Sequence, residues 1–231
     1  MQIGSKEWAA LLTDGARNFD IELESDQIRL FADHARELMR WNETFNITAI
    51  TDPRDIALKH YLDSLPAARH IPPDATLLDI GSGGGFPGIP LKILLPSLTV
   101  TLIDASRKKV NFLKYAIRTL KLEHTEAIHG RAESLANDPS YRQRFDTIIS
   151  RALSALPAYI RLAQPLLAAG GMIIALKGRS DDIDLNDLRK SVRGEGDADP
   201  AFGCYGKISI ENYILPVVES QRSMVILSSI R

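Results

Sequence analysis

Four of the five residues from 81 to 85 are glycine, directly behind an apolar run and directly ahead of a proline-bounded helical pattern. Few folds accommodate that arrangement. Thr76-Leu-Leu-Asp-Ile80 has the length of a buried parallel strand and is apolar apart from Asp79. Gly81, Gly83, Gly84 and Gly85 permit positive φ and leave no Cβ between the backbone and an approaching ligand. Pro87 and Pro90 suit the first turn of a helix, and Pro96 helps to end it. A strand, glycine turn and helix in this order aim free backbone N–H groups at whatever lies beyond the strand's carboxyl end.

The ligand follows from charge. Gly83-Gly-Gly85-Phe-Pro-Gly88 satisfies G-x-G-x-x-G, which on its own admits a nicotinamide or flavin cofactor. Asp79, however, sets a negative charge just before the glycines, where a pyrophosphate would meet it. The next apolar run, Leu98-Thr-Val-Thr-Leu-Ile-Asp104, ends in a second acid. That acid lies roughly 20 residues on, where a carboxylate can grip ribose hydroxyls. An acid on each side of the glycines suits a cationic ligand that carries a ribose and no phosphates. S-adenosylmethionine is such a ligand, and the pairing is the class I methyltransferase signature.

Composition narrows the partners. The 231 residues are 45% hydrophobic with a formal net charge of −1, so the chain is no polycation. Binding to nucleic acid would need a local basic patch or a substrate already organised by other proteins. Cys204 is the only cysteine, which excludes an internal disulfide and a thiolate metal cluster. No apolar run approaches a membrane span, and the first residues lack a signal-peptide pattern, so a cytoplasmic protein is expected.

Taken in order, the chain opens with a short helix capped by Ser5 and a longer one from about Ser25. Asp52-Pro53 starts a third through Ile56, His60, Tyr61 and Leu65. Residues 1–72 thus read as a helical extension, and residues 73–231 as the catalytic core. Asn46, His60 and Asp63 punctuate helix ends as caps and buried hydrogen-bonding groups, or line the approach to a cofactor. From Ser106 a helix carries Val110, Leu113, Ala116, Ile117 and Leu120 on one face. Arg107, Lys108, Lys109, Lys114, Arg118 and Lys121 form the densest basic cluster on its other face. Further expected elements are strands at 126–129, 145–150 and 171–177, helices at 155–168 and 181–193, and a loop around 194–200. Two final strands complete seven in a doubly wound sheet.

These segments together resemble one family. Trp41-Asn42, Asn46-Ile-Thr48, His60-Tyr-Leu-Asp63-Ser64, Asp79 to Pro90, Gly130-Arg-Ala-Glu133, Ser150-Arg-Ala152 and Ala175-Leu-Lys-Gly178 occur in that order. They are similar to the RsmG (GidB) family of bacterial small-subunit ribosomal RNA guanine-N7 methyltransferases over about residues 25–180. The resemblance implies an α/β class I S-adenosylmethionine-dependent methyltransferase, Rossmann-like, with an N-terminal helical extension. It also implies 16S ribosomal RNA, within an assembled or assembling subunit, as the partner. By that resemblance Gly81, Phe86, Ala132, Glu133 and Arg151 contact the cofactor. The reading of the residues themselves adds Asp104 for the ribose.

Arg151, following the strand that ends at Ser150, is the candidate for catalysis or its immediate support, with Asp63 or Asp79 as its carboxylate partner. No Asn/Asp-Pro-Pro-Tyr motif for exocyclic amines is present, and Cys204 lies in no pyrimidine-C5 motif. Guanine N7 needs no general base, so the lack of an obvious one is expected. A monomer without a metal is expected. The alternatives are a nicotinamide-dependent reductase and a non-catalytic RNA- or ribosome-binding module.

Overall fold

A computed structural model describes residues 1–151, 156–178 and 205–229. Ser5 opens the first helix, its hydroxyl accepting the Trp8 N–H at 3.2 Å to cap α1 (Lys6–Arg17). Such a cap is worth about 1 kcal/mol. The amphipathic α2 (Ser25–Phe45) buries Phe31, Ala32, His34, Ala35 and Leu38. It ends at Asn46 in the left-handed region, φ 48°. Asp52 accepts the N–H groups of Arg54 and Asp55 and so starts α3 (Pro53–Asp55). That short helix widens into a π-helical stretch, Ile56–Leu62, which periodicity does not announce. A 3-10 turn, Leu65–His70, follows. The Trp8 indole N–H donates to the Pro53 carbonyl at 2.9 Å and ties α1 to α3.

The βα alternation then runs through β1 (Thr76–Ile80), α4 (Gly88–Leu94), β2 (Thr99–Asp104), α5 (Arg107–Thr119), β3 (Thr125–His129), α6 (Ala132–Ala136) and β4 (Phe145–Arg151). It closes with α7 (Leu156–Ala163), β5 (Leu167–Lys177), β6 (Tyr205–Leu215) and β7 (Ser220–Ser229). One sheet of seven strands results, the number the sequence pattern leads one to expect, in the order β3-β2-β1-β4-β5-β7-β6. β1 to β5 are parallel, and β7 runs antiparallel to both β5 and β6.

Two boundaries differ from expectation by several residues. The helix placed at 155–168 stops at Ala163, where Pro165 enters a 3-10 turn. The strand placed at 171–177 begins at Leu167, because Ala168-Ala-Gly-Gly171 reads as a turn but joins the sheet beside β4 past a register shift. The expected helix 181–193, the loop around 194–200 and Ala152 lie outside the described residues.

Each face of the sheet is covered by helices. Trp8, Phe31 and Tyr61 share a core with Leu77, Leu102, Ile89 and Phe112, so α1, α2, α4, α5 and the π-helical stretch lie on one side. Leu135, Tyr159 and Ile160, from α6 and α7, pack with Leu78, Ile148 and Ile173 on the other. Phe112 points into the core although it was not among the expected apolar positions of its helix. Among the described residues no helix is long and apolar enough to cross a membrane.

Candidate active site

The parallel strands bring most of the expected residues to one carboxyl edge. Gly81 N–H donates to the Ile103 carbonyl at 2.8 Å, and Gly83 N–H donates to Oδ2 of Asp104 at 2.9 Å. Gly130 N–H reaches the Asp104 carbonyl at 3.2 Å, so the turn that starts α6 abuts the same acid. Ser150 Oγ–H donates to the Ile80 carbonyl at 2.7 Å and binds the end of β4 to the end of β1. Ala132 and Glu133, Asp104, the glycine turn and Arg151 therefore lie in sequence along one ledge. Gly81 has φ +76°, and a Cβ built there meets no atom within 4 Å. Space for a ligand lies open in front of it.

The two acids do different things. Asp104 is 8% exposed and uses both oxygens on backbone, Oδ2 as above and Oδ1 accepting Ser106 N–H at 2.8 Å. Asp79 is wholly buried, with Oδ2 accepting Gly88 N–H at 2.9 Å and Oδ1 left without a hydrogen-bond partner. Burial pushes its carboxyl up to about 7, against the Gly88 N–H and the charge of Arg151. Asp79 thus braces the first turn of α4 from beneath. Gly88 is required for that contact, since a Cβ there would stand 2.8 Å from Asp79 Oδ2 and 2.4 Å from Leu102 Cδ2.

Beside the ledge, the helical extension meets the sheet through Arg151. Its Nη1–H donates to the Lys59 carbonyl at 2.6 Å and its Nη2–H to Nδ1 of His60 at 2.9 Å. Lys59 and His60 sit in the π-helical stretch, near whose end a backbone carbonyl can be left for a side chain. His60 lies on Phe86, and the guanidinium carbon of Arg151 is 5.3 Å from the centre of the same ring. Phe86 is only 3% exposed, held also by His34 and Tyr61. Its ring is thus enclosed by protein groups on several sides.

Asp63 stands 3.8 Å from Arg151 and 3.3 Å from Nε of Arg222, and accepts the Tyr213 O–H at 3.0 Å. Burial raises its carboxyl even against both arginines and Tyr213. Burial likewise lowers Arg151, opposed by Asp63 and Asp79. Burial, reinforced by the charge of Arg151, drives His60 down to about 3. His34, bonded through Nδ1 to Tyr61 O–H at 2.8 Å, is driven to about 3 by burial alone, with a Gly84 backbone contact pulling the other way.

Next to these groups an open cleft of about 420 Å³ is lined by Ile50, Lys59, Asp63, Arg151, Lys177 and Arg222, among others. Of the two carboxylates expected beside Arg151, Asp63 is its ion-pair partner. Its two closest contacts, Lys59 and His60, were not foreseen. Thr48, His34, Tyr213 and Arg222 were also missed as members of the cluster. Of these, Thr48 lies in a segment that the family resemblance already marks.

Comparison with known proteins was consistent along the chain. A family model described as GidB, rRNA small subunit methyltransferase G, matches residues 27–206. The chain is 40% identical over 217 residues to the ribosomal RNA small subunit methyltransferase G of Geobacter sp. (strain M21), covering 94% of this chain and 95% of that one. With the protein of the same description from Desulfitobacterium hafniense (strain Y51) it shares 44% over 176 residues, 76% of this chain and 73% of the other. Among solved structures, a SAM dependent methyltransferase from Aquifex aeolicus superposes with a TM-score of 0.56 at 15% identity, over 80% of this chain and 97% of its own. A predicted O-methyltransferase from Agrobacterium tumefaciens gives 0.52 at 20% identity, over 72% and 80%. These two likenesses concern the fold, which is that of the class I methyltransferases.

Proposed function

Because the chain belongs to the GidB family, rRNA small subunit methyltransferase G, we propose that it methylates N7 of a guanine in 16S ribosomal RNA with S-adenosylmethionine as methyl donor. The observation that carries this reading is the ledge itself. Gly81 fronts open space, Asp104 closes the neighbouring strand, and Ala132 and Glu133 follow the next one. These residues would hold the cofactor, Gly81 by leaving room, Asp104 beside the ribose hydroxyls and Ala132 with Glu133 beside the adenine. When bound, S-adenosylmethionine supplies a methyl group on a cationic sulfur.

The protein's own groups fit a reaction that removes no proton. Guanine N7 carries an in-plane lone pair and no hydrogen, so alignment and exclusion of water are what the site must provide. His60 cannot act as a base there. Its Nδ1 is occupied by Arg151, and its Nε2 by the Thr48 hydroxyl at 3.0 Å. Arg151 serves in this proposal as a positioning residue, fixing His60 over Phe86 while two of its five N–H groups point at protein acceptors. Arg151 also lines the cleft, with Asp63 beside it. Asp63 balances Arg151 and Arg222, which limits the positive charge beside a sulfonium. The substrate would be the RNA of a small subunit in the cytoplasm, met by a monomer. Family membership displaces the nicotinamide-dependent reductase and the non-catalytic binding module.

The test is labelled methyl transfer from S-adenosylmethionine to undermethylated small subunits, and in parallel to naked 16S RNA, followed by digestion and mapping. Label in N7-methylguanosine is expected. Label on an exocyclic amine or a ribose, or none on either substrate, would refute the proposal.

A further inference from the structure

We propose that Trp41, Phe45 and Tyr115 form a seat on which an unpaired base of the substrate RNA stacks, beside the basic face of α5. The proposal rests on the reading above that the substrate is RNA, and it adds where a second nucleotide is held.

The seat is a notch of about 300 Å³ lined by Arg40, Trp41, Thr44, Phe45 and Tyr115. Trp41 lies 5.4 Å from Phe45 at 38° and 5.3 Å from Tyr115 at 43°, and meets Phe112 nearly edge-on at 5.8 Å. Phe112 is fully buried, so the indole is anchored from behind while its other neighbours face outward. Phe45 is 40% exposed, and it is the only aromatic among the exposed large apolar side chains of the described residues. An exposed ring at a helix end, packed on a half-exposed indole that itself meets Tyr115, offers planar surface without a protein occupant.

Charge selects the occupant. Arg118 stands 5.9 Å over the Tyr115 ring, Arg107, Lys108 and Lys114 are exposed along the same helix, and Lys121 is exposed just past its end. Among the described residues none of these five α5 and post-α5 cations forms an ion pair. On α2, by contrast, Arg29, Arg36 and Arg40 each have a carboxylate three residues away. Aromatic faces bordered by unpaired cations are what single-stranded nucleic acid binds, bases on the rings and phosphates on the cations. Position agrees with this. Phe45 is three residues before Thr48, whose hydroxyl meets His60, so their Cα atoms are at most about 11 Å apart. Ile47, between them, is buried and would touch a Cβ at Gly84 in the glycine turn. A strand seated on Phe45 is thereby led toward the cleft beside Arg151.

The chain has two tryptophans, and Trp8 is wholly buried, so quenching of fluorescence by an added ligand reports Trp41. A single-stranded RNA oligonucleotide should quench it, and inorganic polyphosphate should not. Equal responses to both would reduce the site to a phosphate patch and overturn the stacking seat. Phe45→Ala and Tyr115→Leu should each raise KM for 16S RNA about tenfold, the loss expected of one stacked base. Affinity for S-adenosylhomocysteine, melting temperature and kcat at saturating RNA should stay as in the parent. An unchanged KM in both variants would overturn the proposal. So would a KM raised for intact subunits but not for isolated RNA, since that would give the notch to a ribosomal protein. If the parent transfers no methyl group, the proposed function fails by itself, and the oligonucleotide quenching still decides the seat.

Discussion

The imidazole of His60 lies flat on the ring of Phe86, their centroids 4.2 Å apart and their planes within 8°. Arg151, from the end of β4, fixes that imidazole's proton. A guanidinium has donors only, so Nδ1 must accept and the hydrogen must sit on Nε2, facing the Thr48 hydroxyl. Thr48 Oγ1 also accepts the Ile50 N–H at 3.1 Å. Three separate segments thus agree on one neutral tautomer.

Arg151→Lys tests that agreement. Lysine keeps the charge opposite Asp63 but cannot serve the Lys59 carbonyl and His60 with one planar fork. The variant should fold, with kcat/KM for methyl transfer lowered roughly ten- to a hundredfold, the equivalent of one charge-assisted hydrogen bond of about 1.5–3 kcal/mol. Steady-state kinetics decide it. Transfer at the parent rate would remove Arg151 from the functional cluster.

Gly81→Ala and Gly88→Ala should fail in opposite ways. At Gly81 the new methyl meets only open space, at a strain of about 1–2 kcal/mol for its positive φ, so the melt should move by a few degrees while S-adenosylhomocysteine binds at least about tenfold more weakly. At Gly88 it would press on Leu102 and Asp79, so stability should fall by about 1–3 kcal/mol. Calorimetry and thermal melts on the two variants give the comparison, and full affinity in Gly81→Ala would take the ligand away from this turn.

Asp104→Asn should cost both stability and affinity. The carboxylate accepts from Gly83 and Ser106 with separate oxygens, and an amide has only one acceptor to offer. A loss of about 1–2 kcal/mol in urea unfolding is expected, together with weaker S-adenosylhomocysteine binding by titration calorimetry. Reduced stability with undiminished affinity would leave Asp104 as a brace for the turn and the helix start alone.

Acid should loosen the fold in a defined window. His34 and His60 are lowered from 6.5 to about 3, so the stability that goes with their neutral forms is whole above pH 6.5 and is lost as pH falls toward 3. Asp79 is raised from 3.8 to about 7 and acts in the other direction, its contribution whole below 3.8 and lost as pH rises to 7. Between about pH 4 and 6.5, unfolding takes up a proton at each imidazole, while Asp79 and Asp63, both raised by burial, release theirs and offset part of that uptake. Each imidazole on its own makes stability fall on the order of 1.4 kcal/mol for each unit of pH lost there. His34→Gln should flatten that slope, as followed by urea unfolding at several pH values. A variant with the parent's slope would contradict this account of His34.

What the sequence discloses is local. Ser5 and Asp52-Pro53 declare their helices because a cap acts within three residues, and the glycines between Ile80 and Pro87 declare their turn for the same reason. The apolar runs suffice to count seven strands. What escapes is set by distant partners. Tyr213 and Arg222 reach Asp63 across 150 and 159 residues, and no periodicity encodes such a meeting. The inward fork of Arg151 depends on a π-helical widening that leaves the Lys59 carbonyl to it. Phe86 reads as a loop residue beside a ligand, yet its ring is enclosed by His34, His60 and Tyr61. Asp79 reads as a charge facing the ligand, but the close approach of Gly88 turns it inward.

The place of β7 between β5 and β6 gives the cleft a history. β6 has no neighbour in the sheet except β7, which follows it in the chain, so the hairpin can dock only through its later strand. A growing chain can complete β1 to β4, and with them the ledge of Gly81, Asp104 and Ala132, before Tyr213 and Arg222 exist. Until the hairpin arrives, Asp63 has Arg151 at 3.8 Å as its only ion-pair partner among the described residues. Contacts of this sequence separation are the slow ones to form. On the proposed assignment, the ledge that would hold the cofactor can be completed first, and the cleft beside Asp63 and Arg151 is completed only with the last strand.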